Sequence, residues 1–130
     1  MRKRMGGCNC GQVRFEVSGQ PARVGLCHCR VCRKETGSIG NFFAVWQTDR
    51  ILVTGETRSW RLSTDDRHFC PVCGSSVFAI VDGANEVEVR GGAFDDAPTD
   101  LTPVYELWVS GREPWLVALA SAEQHEGNRA

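Results

Sequence analysis

The chain has 130 residues, with Lys plus Arg at 15 against Asp plus Glu at 16, a net charge of -1 that lacks the basic footprint of a nucleic-acid binder. That length is one domain's worth, with room for an apolar core that does not depend wholly on a metal. No apolar run approaches a membrane span, and no long apolar stretch follows the basic start Met1 to Met5, so no signal peptide is read and a reducing, cytoplasmic setting is the expectation.

In chain order, Val13, Phe15 and Val17 alternate with Arg14 and Glu16, the pattern of a half-buried strand. Arg30 to Thr36 reads as a short turn or helix closed by Gly37. Phe42 to Trp46, Ile51 to Val53 and Val77 to Val81 are strand candidates, although periodicity alone does not separate brief apolar runs from buried helical turns. Val87 and Val89 alternate with Glu86, Glu88 and Arg90 and read as another half-buried strand. Ala93 to Leu101 is acidic and interrupted by Pro, so it reads as a loop. Leu116 to Leu119 is a further strand candidate, and the small, polar Ser121 to Ala130 is expected to fray. The sum is a single mainly β domain over 1-130 with short helical turns, its core at about 6-119.

The seven cysteines are an odd number, which argues against a purely disulfide framework, and they are clustered rather than scattered. The clusters are Cys8 and Cys10 before Gly11, then Cys27, Cys29 and Cys32, then Cys70 and Cys73 before Gly74. Two cysteines separated by two residues, with a glycine after them, form a turn that aims both sulfurs at one point. A Cys-x-Cys pair does the same from extended chain, where alternate side chains share a face. Joining the first and third clusters gives a closed four-thiolate zinc site of the structural kind. Cys27, Cys29 and Cys32 then form a three-thiolate set with one open position, the arrangement of a catalytic zinc. Spacing does not force this division: the third cluster joined to two cysteines of the second, with Cys8 and Cys10 free, is the alternative. It is disfavoured because three sulfurs within six residues reach one metal together.

The order Gly-Gly-Cys-x-Cys-Gly, Cys-His-Cys-x-x-Cys-Arg-Lys-x-Thr-Gly and Phe-Cys-x-x-Cys-Gly, with Arg112, Pro114 and Trp115 closing, resembles the glutathione-dependent formaldehyde-activating enzyme family. The resemblance implies an Mss4-like fold of β-sheets around zinc. It implies a closed zinc at Cys8, Cys10, Cys70 and Cys73 and a second, more labile zinc at Cys27, Cys29 and Cys32. It also implies a carbon–sulfur lyase-type activity on a small thiol adduct, such as formation of S-hydroxymethylglutathione from formaldehyde and glutathione. An Mss4-like zinc-stabilised binding or chaperone-like module, without catalysis, is the alternative, because fold does not fix function. One position departs from the family pattern: Glu106 stands where a His usually precedes the aromatic by two residues, which points to a difference in substrate.

Arg30, Arg33 and Lys34 flank the second cluster and are candidates to hold a substrate carboxylate. His28 lies between two cysteines and is expected on the surface or behind the ligands rather than on the metal, and His68 in a structural place. Trp46, Trp60, Trp108 and Trp115 are expected in the core, with one of them free to wall a small pocket. Thr36, Gly37 and Ser38 shape a turn, with no base to make Ser38 a nucleophile.

Overall fold

The computed structural model describes residues 1-129; Ala130 lies outside the described residues. Eleven strands and one α-helix follow one another. They are β1 (Lys3–Gly7), β2 (Arg14–Ser18), β3 (Arg23–Cys27), α1 (Arg30–Thr36), β4 (Asn41–Gln47), β5 (Ile51–Thr54), β6 (Arg58–Leu62), β7 (Asp65–Phe69), β8 (Ser76–Val81), β9 (Glu86–Arg90), β10 (Tyr105–Leu107) and β11 (Glu123–Gln124). A three-stranded antiparallel sheet has the order β1-β2-β5, and an eight-stranded sheet the order β11-β10-β3-β4-β9-β8-β7-β6. In the larger sheet β10 runs parallel to both β3 and β11.

The central strand β4 explains the layering. Its apolar run buries both faces, as a strand covered on two sides does. Ala44 and Trp46 meet Val13, and Phe15 and Val17 of the small sheet, together with Val87, Val89 and Phe94. Phe43 and Val45 face the other way, onto Tyr105, Cys27 and Cys32. Phe94 packs edge-on to Phe15 at 5.4 Å and against Trp46 at 5.8 Å, so aromatic contacts hold the first interior together.

Helix α1 forms as its sequence suggests. Cys29 is its N-cap, its sulfur accepting from the Cys32 amide at 3.3 Å. Gly37 ends it at φ 64, a left-handed position that glycine adopts without strain, and Arg33 and Lys34 in the last turn complement its dipole.

Three expectations are corrected. Leu116 to Leu119 forms no strand: it follows Pro114 in a strap whose Trp115 and Val117 are exposed. The tail expected to fray instead carries β11 as far as it is described. His125 N donates to Glu106 O at 2.9 Å and Trp108 N to Gly127 O at 3.1 Å, so backbone pairing offsets its poor hydrophobicity. Of the four tryptophans only Trp46 is buried; Trp60, Trp108 and Trp115 are exposed.

Candidate functional site

The first and third clusters meet. Cys8 and Cys10 lie in the β1–β2 connection, Cys70 and Cys73 in the β7–β8 connection, and the four sulfurs lie within 4.8 Å of one another. Cys10 Sγ is 3.6 Å from both Cys8 Sγ and Cys70 Sγ. A tetrahedral ion with sulfur bonds of about 2.3 Å separates its sulfurs by about 3.8 Å, so the donor set fits such an ion. Backbone amides aim at the sulfurs: Val13 N at Cys8 (3.2 Å), Val72 N and Cys73 N at Cys70 (3.4 and 3.5 Å). These are charge-assisted bonds once the thiols ionise. Gly74, at φ 79, provides the left-handed turn that returns the Cys70–Cys73 loop, closed by Gly74 N to Cys70 O at 2.9 Å. Ser75 Oγ accepts from Asn9 N and approaches Cys73 Sγ at 3.2 Å, which ties the two connections and draws the Cys73 thiol down to about 5.

The second cluster is built differently. Cys27 ends β3, Cys29 caps α1 and Cys32 lies in the helix's first turn, and the three sulfurs again lie within 4.8 Å of one another. Cys27 and Cys32 are buried and Cys29 is half-buried. Among the described residues no His, Asp or Glu completes a fourth donor. The hydrogen bond with Cys27 is the main cause that pulls the Cys32 thiol down to about 6, against burial and with help from Arg67, while the same bond pushes Cys27 up.

His28 is neither a ligand nor a surface residue. It is 1 % exposed, and its Nε2 lies 2.7 Å from Glu106 Oε1. Glu106 Oε2 accepts from Leu119 N and from Gln124 Nε2, both at 2.8 Å, and Arg112 lies 3.6 Å from Oε1. Burial opposes ionisation of Glu106, but the hydrogen bonds from Gln124, His28 and Leu119 outweigh it and hold its carboxyl below the usual range. Glu106 is therefore the hub that joins the segment between Cys27 and Cys29 to the C-terminal strap.

A second buried carboxylate holds α1. Glu35 receives Arg90 at 2.7 and 3.0 Å, Ser76 Oγ at 2.6 Å and Arg67. Arg67 is further paired with Asp65 and lies over the Trp60 ring at 5.7 Å. Glu35, Arg67 and Arg90 were not among the sequence candidates; their contacts cross four elements, and only the charge within the otherwise mixed runs hinted at them.

The candidate cations separate. Arg33 donates to Gly111 O at 3.1 Å and to Glu113 at 3.3 Å, so it clamps α1 to the strap. Arg30 is exposed, and Lys34 lines a cleft with Trp60, Arg67 and His68. His68 hydrogen-bonds Thr57 through Nδ1 at 3.0 Å and stacks on Phe78.

The family model described as glutathione-dependent formaldehyde-activating enzyme matches residues 3–111. No curated protein matches the chain. A solved Rhodobacter sphaeroides protein is similar in structure at 21 % identity and a TM-score of 0.59, covering 76 % of this chain and 91 % of its own. That likeness carries the fold alone.

Proposed function

The chain belongs to the glutathione-dependent formaldehyde-activating enzyme family, and from that premise we propose that it is a zinc-dependent enzyme acting on the carbon–sulfur bond of a small thiol adduct, such as S-hydroxymethylglutathione. The observation that carries this reading is the convergence of Cys27, Cys29 and Cys32 without a fourth donor. Zinc held there would supply a Lewis-acidic position at which an incoming thiol loses its proton. Zinc at Cys8, Cys10, Cys70 and Cys73 would be structural.

The chain's own residues set the conditions. Glu106 holds His28 by its Nε2, and His28 does not join the group formed by Cys27, Cys29 and Cys32. Arg67, facing Cys32, offsets part of the negative charge that three thiolates gather. Cys29, the most exposed of the three, marks the side from which substrate enters. In the forward reaction the thiol sulfur bonds to the formaldehyde carbon, the C=O π bond opens and the oxygen takes the proton the thiol gave up. The reverse reaction restores both partners, with no net redox change.

The burial of Cys27 and Cys32 favours the second reading, a non-catalytic zinc-stabilised module. NMR of hydroxymethyl-thiol formation from formaldehyde and glutathione separates them. The enzyme reading expects formation faster than the spontaneous rate and loss of that excess in Cys29→Ser. A rate equal to the spontaneous one rejects it.

A further inference from the structure

Between α1 and the β6–β7 hairpin lies a cleft of about 330 Å³, lined by Lys34, Trp60, Arg67, His68, Phe69 and Ser76. It adjoins a broader cleft of about 920 Å³ beside Cys8 and Cys10; Glu35, Gly74 and Ser76 line both, so the Glu35–Ser76 hydrogen bond is the ridge between them. The charges around the smaller cleft are unequally used. Glu35 accepts from Arg90, Arg67 and Ser76, and Arg67 is ion-paired with both Glu35 and Asp65. Of the chain's two lysines, Lys3 pairs with Glu16 at 3.5 Å, whereas Lys34 has no ion-pair partner among the described residues. Trp60 is 40 % exposed, so part of its ring is open beside that ammonium. His68 Nδ1 is engaged with Thr57, which leaves Nε2 as its remaining polar atom. The cleft and the three-cysteine cluster share α1, which carries Cys32 and, two residues on, Lys34.

An uncompensated cation beside a partly exposed aromatic ring, with a hydrogen-bonding edge, suits an organic anion whose body lies on the ring. We infer that the Lys34–Trp60 cleft is the recess for the acidic end of the substrate, an anionic group on a linker whose thiol reaches toward the Cys27–Cys29–Cys32 cluster. Lys34 is the specificity-determining cation, and Arg33 and Arg30 take no part. This rests on the proposed thiol chemistry, but its binding can be read separately from turnover.

The test uses the full-length, zinc-loaded protein. Amine-reactive labelling read by mass spectrometry compares Lys34 with Lys3 in glutathione, in cysteamine, which carries the thiol without an acid, and in inorganic phosphate. Glutathione is expected to slow labelling of Lys34 several-fold and to leave Lys3 unchanged; cysteamine and phosphate at the same concentration are expected to protect neither. In titrations, Lys34→Met is expected to weaken glutathione binding about tenfold, the scale of one lost charge-assisted contact. Lys3→Met is expected to match wild type, and cysteamine binding to be unchanged in both. Equal protection of both lysines, protection by phosphate alone, or unaltered glutathione binding in Lys34→Met would overturn the recess. Acceleration of the formaldehyde reaction with an unchanged KM for glutathione in Lys34→Met would overturn it and leave the proposed chemistry standing. Lys34-dependent binding without acceleration supports the recess and removes the chemistry.

Discussion

Glu106 is a carboxylate that accepts from His28, Leu119 and Gln124 in a fully buried setting. Truncation to Ala would leave those donors without a partner, and buried unsatisfied groups cost about 1–3 kcal/mol each. Glu106→Ala is therefore expected to lose about 3 kcal/mol in urea unfolding, and Glu106→Gln less, because its carbonyl still accepts. The sign of the pH dependence follows from the lowered carboxyl. Its contribution is fully present above the unfolded value of about 4.5 and is lost as pH falls through the lower folded one. The slope of stability against pH below 4.5 should be shallower in Glu106→Gln than in wild type; parallel slopes would mean that the carboxylate is not ionised in the fold. The departure at Glu106 was visible in the sequence, but its role was not. A substitution suggests a changed substrate when read alone, whereas the structure shows the new side chain turned to His28 and the strap.

Helix α1 has seven residues, too short to persist without tertiary contacts, and it carries both Cys29 as its cap and Cys32. Glu35 supplies the tether, reaching β7, β8 and β9 through Arg67, Ser76 and Arg90. Breaking a buried pair strands its partners, at a cost of about 3–5 kcal/mol. On the proposed two-metal reading, Glu35→Gln should loosen α1 and release the metal of the three-cysteine cluster while the four-cysteine site keeps its own. Metal analysis after gel filtration should fall by one ion per chain, and retention of both ions would show that α1 is held by its apolar contacts instead. Elements with a clear local signature were legible: α1 between its cysteines and Gly37, and β2, β4, β5, β8 and β9 from alternation or apolar runs. Strands β6 and β7 were missed because Arg58–Leu62 is exposed and Asp65–Phe69 is mostly charged or polar, so neither presents a buried alternating face. Ladder bonds between the two, and from β7 to β8, form them regardless. Strand β11 depends on pairing with β10, a contact between residues distant in sequence that composition does not encode.

At the scale of the whole molecule the two cysteine groups do unequal work. The closed group joins the β1–β2 connection of the small sheet to the β7–β8 connection of the large one, across a separation of 60 residues from Cys10 to Cys70. A metal held there, as proposed, would cross-link a loop of that length and restrict the unfolded chain by about 4 kcal/mol. The sheets also meet through Phe15, Val17, Trp46 and Phe94, so the apolar interior contributes independently of metal. The three-cysteine group spans only the β3–α1 junction and closes no long loop. Cys73→Ser should therefore lower Tm by about 10 °C or more, since 1 kcal/mol corresponds to roughly 3–5 °C in a domain of this size. Cys29→Ser should leave Tm within a few degrees while removing one metal ion. Graded chelation should follow the same sequence, releasing first the ion held by three thiols and last the one held by four, with the drop in Tm confined to the second release. A large loss of Tm on the first release would assign the structural role to Cys27, Cys29 and Cys32 and would remove the division of labour on which the proposed chemistry rests.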